Sequence, residues 1–149
     1  MQLILILALV GLLPSSVGAA TACLRVQTGR EKIVVFPTSL GNELRLGFQN
    51  SLYGSQVEEQ FRIAAHGIQI LKFRYAEERL VEFYGHEAAR RERGWWVVEG
   101  DGREIATLDL RLSPDSEIHI SLGPEIIALS EMVEPGGRLR LSVSPCEKR

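Results

Sequence analysis

One short segment of this sequence gathers the side chains best suited to binding or chemistry. Asn50, Ser51, Tyr53 and Glu59 lie there in close succession, within an otherwise apolar alternation. An amide, two hydroxyls and a carboxylate are groups that hold a small polar ligand through hydrogen bonds. A serine activated by a glutamate also begins a hydrolytic site, although the segment 48–61 contains no histidine to relay a proton. Among functional interpretations, the segment therefore favours a binding site over a hydrolase.

Two strands must position these residues. The apolar residues alternate on both sides of the segment, at Leu44, Leu46, Phe48, Val57, Phe61 and Ile63. A loop at 53–54 pairs Asn50 with Val57 and places Glu59 opposite Phe48. Because successive side chains point to opposite faces of a strand, Asn50 and Glu59 then both face the apolar interior, as diagonal neighbours.

Two interpretations of this cluster are open, because a carboxylate in an apolar interior must be paired or protonated. In the structural interpretation, Asn50 and Ser51 hold the hairpin loop and Glu59 accepts backbone N–H bonds. In the functional one, the cluster is the polar end of a ligand cavity. Glu59 is then an acceptor or counter-ion, Asn50 and Ser51 form hydrogen bonds, and Tyr53 covers the mouth.

The rest of the chain repeats short apolar segments bounded by Gly, Pro, Ser or Asp. This pattern predicts an all-β fold, an antiparallel β-sandwich or small barrel of about nine strands with one short α-helix. The helix is predicted at 76–84, and the charged stretch at 86–93 is expected to be a solvated loop or a helix extension. Gly100, Asp101 and Gly102 predict a hairpin turn that joins 95–99 to 104–112.

The first residues have the character of an export signal. From Leu3 to Leu13 the chain is apolar throughout, too short for the roughly 20 residues that cross a bilayer but typical of a signal peptide. Small residues offer cleavage after Ala19 or after Ala22. We therefore predict a signal peptide at 1–22, a single all-β domain at 23–149, and export to the periplasm or cell envelope.

The two cysteines lie near the ends of that domain, at Cys23 and Cys146. In an oxidising compartment they can pair, and domain termini are often close together. A second interpretation reads 20–23 as a lipobox, with Cys23 as the lipidated first residue of an anchored lipoprotein. The disulfide and the lipid are alternatives for the same sulfur.

Composition excludes several classes of function. The chain has 17 Lys and Arg against 19 Asp and Glu, a net charge of −2, which predicts no field that would attract nucleic acid or an anionic membrane. No phosphate loop or dinucleotide fingerprint is present, and His86 begins a zinc-protease motif that lacks its second histidine because Arg90 stands there. We therefore expect no cofactor, no metal and no nucleic-acid partner.

Several short motifs resemble the domain-of-unknown-function family 1850, a family of small exported bacterial proteins. They are Cys-Leu-Arg-Val at 23–26, Pro37 with Gly41, Asn-Ser-Leu at 50–52, the segment 57–61, and Pro135 with Gly136. Asn50 stands where many members have a histidine. Members commonly accompany tripartite transporters of the TRAP type that use TAXI substrate-binding proteins.

What the resemblance implies is a non-enzymatic accessory or binding module of a TRAP-type solute uptake system. Its expected partners are transporter components or a small-molecule ligand, with membrane contact only through the signal peptide or a lipid anchor. Three alternatives remain: a small-ligand-carrying β-barrel, a hydrolase that uses Asn50, Ser51 and Glu59, and a purely structural envelope protein.

Overall fold

Short antiparallel strands dominate the described part of the chain. A computed structural model describes residues 21–29, 32–115 and 117–146, so nearly all of the predicted signal peptide lies outside the described residues. The strands are β1 (Thr21–Thr28), β2 (Ile33–Ser39), β3 (Glu43–Asn50), β4 (Ser55–Ile63), β5 (Ile68–Tyr75), β6 (Arg90–Glu92), β7 (Trp95–Glu99), β8 (Glu104–Ile105), β9 (Thr107–Arg111), β10 (His119–Leu122), β11 (Glu125–Ala128) and β12 (Arg138–Ser144). One α-helix, α1 (Arg79–Phe83), and a 3-10 turn at Leu129–Glu131 complete the described elements.

Two sheets pack face to face. Sheet A has the order β2-β1-β12-β9, and sheet B has the order β11-β10-β3-β4-β5-β7-β6, with β8 also paired to β5. All pairings are antiparallel. The predicted all-β sandwich is confirmed, and the alternative of a closed barrel is not. Twelve strands replace the expected nine because the segment 105–112 is divided and β6 and β11 are additional.

The core has two parts, because sheet B is wider than sheet A. The first cluster lies between the sheets and includes Leu24, Leu46, Phe61, Ile120 and Leu141. The second cluster lies under α1, where the helix covers the strands that sheet A does not reach, and consists of Val57, Tyr75, Leu80, Val81 and Val98. The inner face of β4 passes from one cluster to the other.

The segment 95–99 does not form the predicted hairpin with 104–112. Both β7 and β8 pair with β5, whereas β9 crosses to sheet A and pairs with β12. The backbone N–H of Gly100 donates to the carbonyl of Leu71 at 2.8 Å, and a Cβ on this glycine would lie 2.8 Å from Cγ2 of Ile70. Gly100 therefore lets the chain continue along β5 instead of turning away.

The charged stretch after α1 also differs from its prediction. Residues 90–92 form β6, which pairs with β7 across a tight turn at Arg93 and Gly94. Both turn residues have positive φ, 48° and 90°, as a two-residue hairpin turn requires.

Cys23 and Cys146 form a disulfide, with an S–S distance of 2.10 Å and a Cα–Cα distance of 5.1 Å. The two residues meet because β1 and β12 are neighbours in sheet A, with Cys23 opposite Ser144. The predicted pairing is confirmed. A thioether-linked lipid on Cys23 needs the sulfur that this bond already uses.

The start of β1 distinguishes the two expected cleavage positions. Ala22 is 3 % exposed and pairs with Thr38, so a cut after Ala22 removes a core residue together with Thr21. A cut after Ala19 leaves β1 whole. We therefore expect the mature chain to begin at Ala20, as determined by N-terminal sequencing and intact mass. A mature terminus at Cys23 contradicts this prediction.

Candidate functional site

The hairpin β3–β4 carries the predicted site residues, in a register two residues away from the expected one. Asn50 pairs with Ser55 and Leu46 pairs with Glu59, so the loop is four residues long and not two. The expected pairings of Asn50 with Val57 and of Glu59 with Phe48 are wrong. An even shift preserves the faces, however, and Asn50 and Glu59 both lie on the inner side of sheet B.

Asn50 organises the hairpin loop. Its side-chain Oδ1 accepts hydrogen bonds from the backbone N–H groups of Leu52 (3.1 Å) and Tyr53 (3.0 Å). Its Nδ2 donates to the hydroxyl of Tyr84 at 3.1 Å. Gly54 closes the loop with a φ of 64°, and its N–H donates to the Asn50 carbonyl. Asn50 is therefore a buried positioning residue that ties the loop to the end of α1.

Glu59 occupies the boundary between the two core clusters. On the inner face of β4 it follows Val57, which belongs to the cluster under α1, and precedes Phe61, which belongs to the cluster between the sheets. No hydrogen bond or ion pair joins Glu59 to any described residue. The structure thus places a partly buried carboxyl without a protein partner at the junction between the part of sheet B that packs on sheet A and the part that α1 covers.

The ionisation of Glu59 follows from this position. Desolvation raises the pKa of its carboxyl to about 7, because burial disfavours the charged form and no donor offsets that cost. The neighbouring residue Glu58 points to the outer face, and its pKa is shifted in the opposite direction. Burial raises the pKa of Glu58, but hydrogen bonds from Gln60 and Arg74 outweigh it, so the pKa is lowered overall.

A pocket of about 200 Å³ opens in front of Glu59, between β3 and β4 of sheet B and β9 of sheet A. It is lined by Leu46, Phe48, Gln49, Asn50, Ser51, Glu59, Tyr84, Leu110, Arg111, Ser113 and Ile118. Four of these eleven residues are apolar and seven carry polar groups, so the pocket combines an apolar wall with many groups able to form hydrogen bonds.

Stacked aromatic residues build the wall of the pocket nearest to α1. The ring of Tyr84 stacks on Tyr75 with centroids 5.2 Å apart and an interplanar angle of 14°. The Tyr75 hydroxyl lies 2.8 Å from Nε2 of His86. Burial, followed by the nearby charges of Glu59 and Tyr84, raises the pKa of Tyr75 well above its usual range. Tyr84 is thereby fixed with its hydroxyl beside Asn50.

The other two predicted site residues lie farther from the carboxyl. Ser51 is exposed at the pocket rim, and no hydrogen bond within the described ranges joins it to Glu59. Tyr53 does not line the pocket. Its ring packs edge-to-face on Phe83 at 5.5 Å, with the Arg79 guanidinium 4.4 Å from its centroid. Tyr53 therefore stabilises the contact between the loop and α1 and does not cover the mouth.

Tyr84 and Arg111 are among the pocket residues that could not be assigned to the site from the sequence. Tyr84 was recognisable only as part of an apolar helical stripe, and Arg111 as an outward residue of a strand. Arg111 forms no ion pair with any described residue. The short distance between the edge of sheet A and the end of α1 brings both to the pocket.

The remaining features of the described residues are less specific. Larger concavities of about 450 Å³ and 390 Å³ lie around the 28–29 end of β1, but they contain no unpaired buried carboxyl. Residues 21–29, 32–115 and 117–146 contain no cluster of three His, Cys, Asp or Glu side chains placed to hold a metal ion. Over the same ranges, none of the helices has the length and apolar character needed to cross a bilayer.

Together, the fold and the pocket define an all-β sandwich with a carboxyl-bearing pocket between its sheets. Comparison of the chain with models of protein families, with curated proteins and with solved structures finds no match.

Proposed function

We propose that this protein is an exported, non-enzymatic binding module for a small organic anion, and that it serves a solute uptake system of the TRAP type. The observation that carries the binding role is the Glu59 carboxyl, which faces a pocket and has no partner among the described residues. Polar groups withdrawn from solvent are normally hydrogen-bonded within the protein, whereas the partly buried Glu59 carboxyl is open only to the pocket. A ligand that enters the pocket supplies the missing partner.

The polar groups around the pocket favour an anion with several acceptor oxygens. Glu59 has a pKa of about 7 and donates its proton in a hydrogen bond below that pH. The Tyr84 hydroxyl proton has no acceptor in the described part of the chain, and Arg111 offers an unpaired guanidinium at the rim. Three donors suit a carboxylate or a similar oxyanion.

The size of the pocket limits the ligand. Its volume of about 200 Å³ is below the roughly 300–1,000 Å³ of pockets that hold drug-sized molecules. The fitting ligand is therefore a small organic acid, bound with its anionic end toward Arg111 and its apolar part between Leu46, Phe48 and Leu110.

Two further arguments support the remaining parts of the proposal. Catalysis by Ser51 needs a base within hydrogen-bond reach, and none contacts its hydroxyl among the described residues. The role in solute uptake rests on the resemblance to family 1850. Export rests on the apolar segment at the start of the chain and is compatible with the disulfide.

Native mass spectrometry of the protein purified gently from its own envelope tests the binding role. We expect a non-covalent adduct of one small acid, whose identity then permits titration across pH. Affinity should fall as the pH rises through about 7, because ionised Glu59 repels an anion. Glu59→Gln should bind with little dependence on pH, since its amide donates at every pH.

Matched arginine variants locate the ligand. Arg111→Gln is expected to weaken binding at least tenfold through loss of a charge-assisted hydrogen bond. Arg138→Gln, which removes the same charge from the residue paired with Arg111 across sheet A, should leave binding nearly unchanged. An affinity that rises with pH indicates an amine ligand and contradicts the anion. A protein that carries no adduct and binds no small acid contradicts the binding role.

Crosslinking in intact cells, followed by identification of the captured proteins, tests the transport role separately. We expect a membrane subunit or a substrate-binding protein of a TRAP-type system among the products. Their absence, with the small acid still bound to the purified protein, overturns the transport assignment while leaving the pocket assignment in place.

A further inference from the structure

The outer face of sheet A carries an uneven distribution of charge. Its strands contain only five charged residues, which are Arg25, Asp109, Arg111, Arg138 and Arg140. All five lie at positions that alternate with the buried leucines and therefore share the outer face. The face thus has a charge of +3, although the whole chain has a net charge of −2.

Most of this positive charge is not neutralised within the protein. Asp109 pairs with Arg140 through two hydrogen bonds, of 2.6 Å and 3.1 Å. Arg25, Arg111 and Arg138 form no ion pair with the described residues. Arg138 is also directly opposite Arg111 in the ladder between β12 and β9. Like charges in that position destabilise a sheet, so an external anion relieves their repulsion.

An apolar edge borders the arginines on the same face. Ile33, Val35 and Pro37 alternate along the edge strand β2, and Ile33 and Val35 are 43 % and 47 % exposed. Val35 is paired with Arg25 across the sheet. A cationic surface beside exposed aliphatic side chains is the arrangement found in proteins that lie on anionic bilayers, where phosphates contact the arginines and aliphatic groups enter the headgroup region.

The face is also indented next to the arginines. A concavity of about 450 Å³ lies between the end of β1 and the paired strands β12 and β9, lined by Arg111, Arg138 and Arg140 and also by Asp109, whose charge Arg140 neutralises. Such an indentation accommodates a phosphate headgroup that approaches several guanidinium groups together.

From these observations we propose that the outer face of sheet A is a docking surface for a bilayer of anionic phospholipids. This interaction uses the outer face of sheet A, whereas the Glu59 pocket opens between the sheets, and Arg111 on the edge strand β9 borders both sites. Docking through this face presents one sheet of the sandwich to the membrane and leaves sheet B and α1 accessible from the aqueous side.

Vesicle sedimentation with the mature, oxidised protein tests this proposal. We expect binding to vesicles of phosphatidylcholine with about one third phosphatidylglycerol and no binding to pure phosphatidylcholine. Binding should weaken as salt rises from about 0.1 M to about 1 M, because the Debye length shrinks. Arg25→Gln with Arg138→Gln should reduce partitioning about 25-fold, since each arginine near an anionic surface contributes about fivefold.

The matched control is Arg62→Gln with Arg93→Gln, which removes two exposed arginines that form no ion pair with described residues and lie outside sheet A. Its partitioning should stay within about twofold of the wild type. Circular dichroism and thermal unfolding establish that both double variants are folded. Equal losses in the two double variants, or no binding to anionic vesicles, overturn the proposal. Binding to soluble polyglutamate but not to vesicles also overturns it and indicates an acidic protein partner.

Discussion

Replacing both Cys23 and Cys146 by alanine is expected to lower the free energy of unfolding by about 4 kcal/mol, the largest single loss that we predict for this protein. The bond joins residues 123 positions apart, so it restricts nearly the whole unfolded chain. Loop-closure entropy gives a stabilisation of about 4–5 kcal/mol for loops near this length. The folded state needs little adjustment, because β1 and β12 remain paired through their backbone hydrogen bonds.

Chemical denaturation of the oxidised wild type and the double variant measures this difference, with and without a thiol reductant. Reductant should destabilise the wild type by a similar amount and have no effect on the variant, which is the internal control. A single Cys146→Ala variant addresses the lipid alternative, because it leaves the Cys23 sulfur free. A lipid mass on Cys23 in the wild type, or two free thiols in the mature protein, would refute the disulfide assignment.

The faces of the central hairpin could be predicted from sequence, but its register could not. Alternation places Asn50 and Glu59 on the inner side for any even shift between β3 and β4. The actual register is selected by the loop, where Asn50 accepts two backbone hydrogen bonds and Gly54 adopts a positive φ. These local contacts favour a four-residue loop. As a result Glu59 lies opposite Leu46 in the ladder, and not opposite Phe48 as expected.

The residues that line the pocket could be identified only from the tertiary structure. Tyr84 contacts Asn50 across 34 residues of sequence, through a helix whose apolar stripe gives no sign of which strand it covers. Arg111 has the outward position of a surface arginine, and it reaches the pocket only because β9 is the edge of the narrower sheet. The inward position of the carboxyl could be predicted from the sequence, whereas its lack of a protein partner and the groups around it depend on contacts between distant elements.

The segment 95–112 shows why a turn signature alone can mislead. The sequence Gly-Asp-Gly is typical of a hairpin turn. Here it connects β7 and β8, which both pair with β5, and the chain enters sheet A only afterwards, at β9. The absence of a side chain at Gly100 serves close packing against Ile70 and Leu71. Sequence pattern does not distinguish a glycine needed for a turn from one needed for close approach.

Glu59→Gln is expected to stabilise the protein above neutral pH and to have little effect in acid. In the folded state the pKa of Glu59 is about 7, against an ordinary value of 4.5 that we assign to the unfolded chain. Below pH 4.5 the carboxyl is protonated in both states, and its burial costs little. Between pH 4.5 and about pH 7 the Glu59 carboxyl is ionised in the unfolded chain but still protonated in the folded protein. Wild-type stability therefore falls with rising pH until about pH 7.

The expected size of this effect is about 2 kcal/mol, because each unit of pKa corresponds to about 1.4 kcal/mol and Glu59 is only partly buried. Guanidinium denaturation of the wild type and of Glu59→Gln at about pH 4 and about pH 8 measures it. The difference in free energy of unfolding between the two proteins should be near zero at about pH 4, and at about pH 8 the glutamine variant should be the more stable. A ¹³C NMR titration of the Glu59 carboxyl gives the folded-state pKa directly.

Glu58→Gln is the matched control, since it changes the adjacent residue on the opposite face of the same strand. Arg74 and Gln60 lower the pKa of Glu58 overall, against the effect of its burial. Its ionised form is therefore the stabilising one, and this stability is lost as the pH falls through the lowered pKa. Glu58→Gln should thus destabilise the protein at neutral pH, opposite in sign to Glu59→Gln. Equal and pH-independent effects of the two substitutions would contradict an unpaired, desolvated carboxyl at Glu59 and remove the main argument for the pocket.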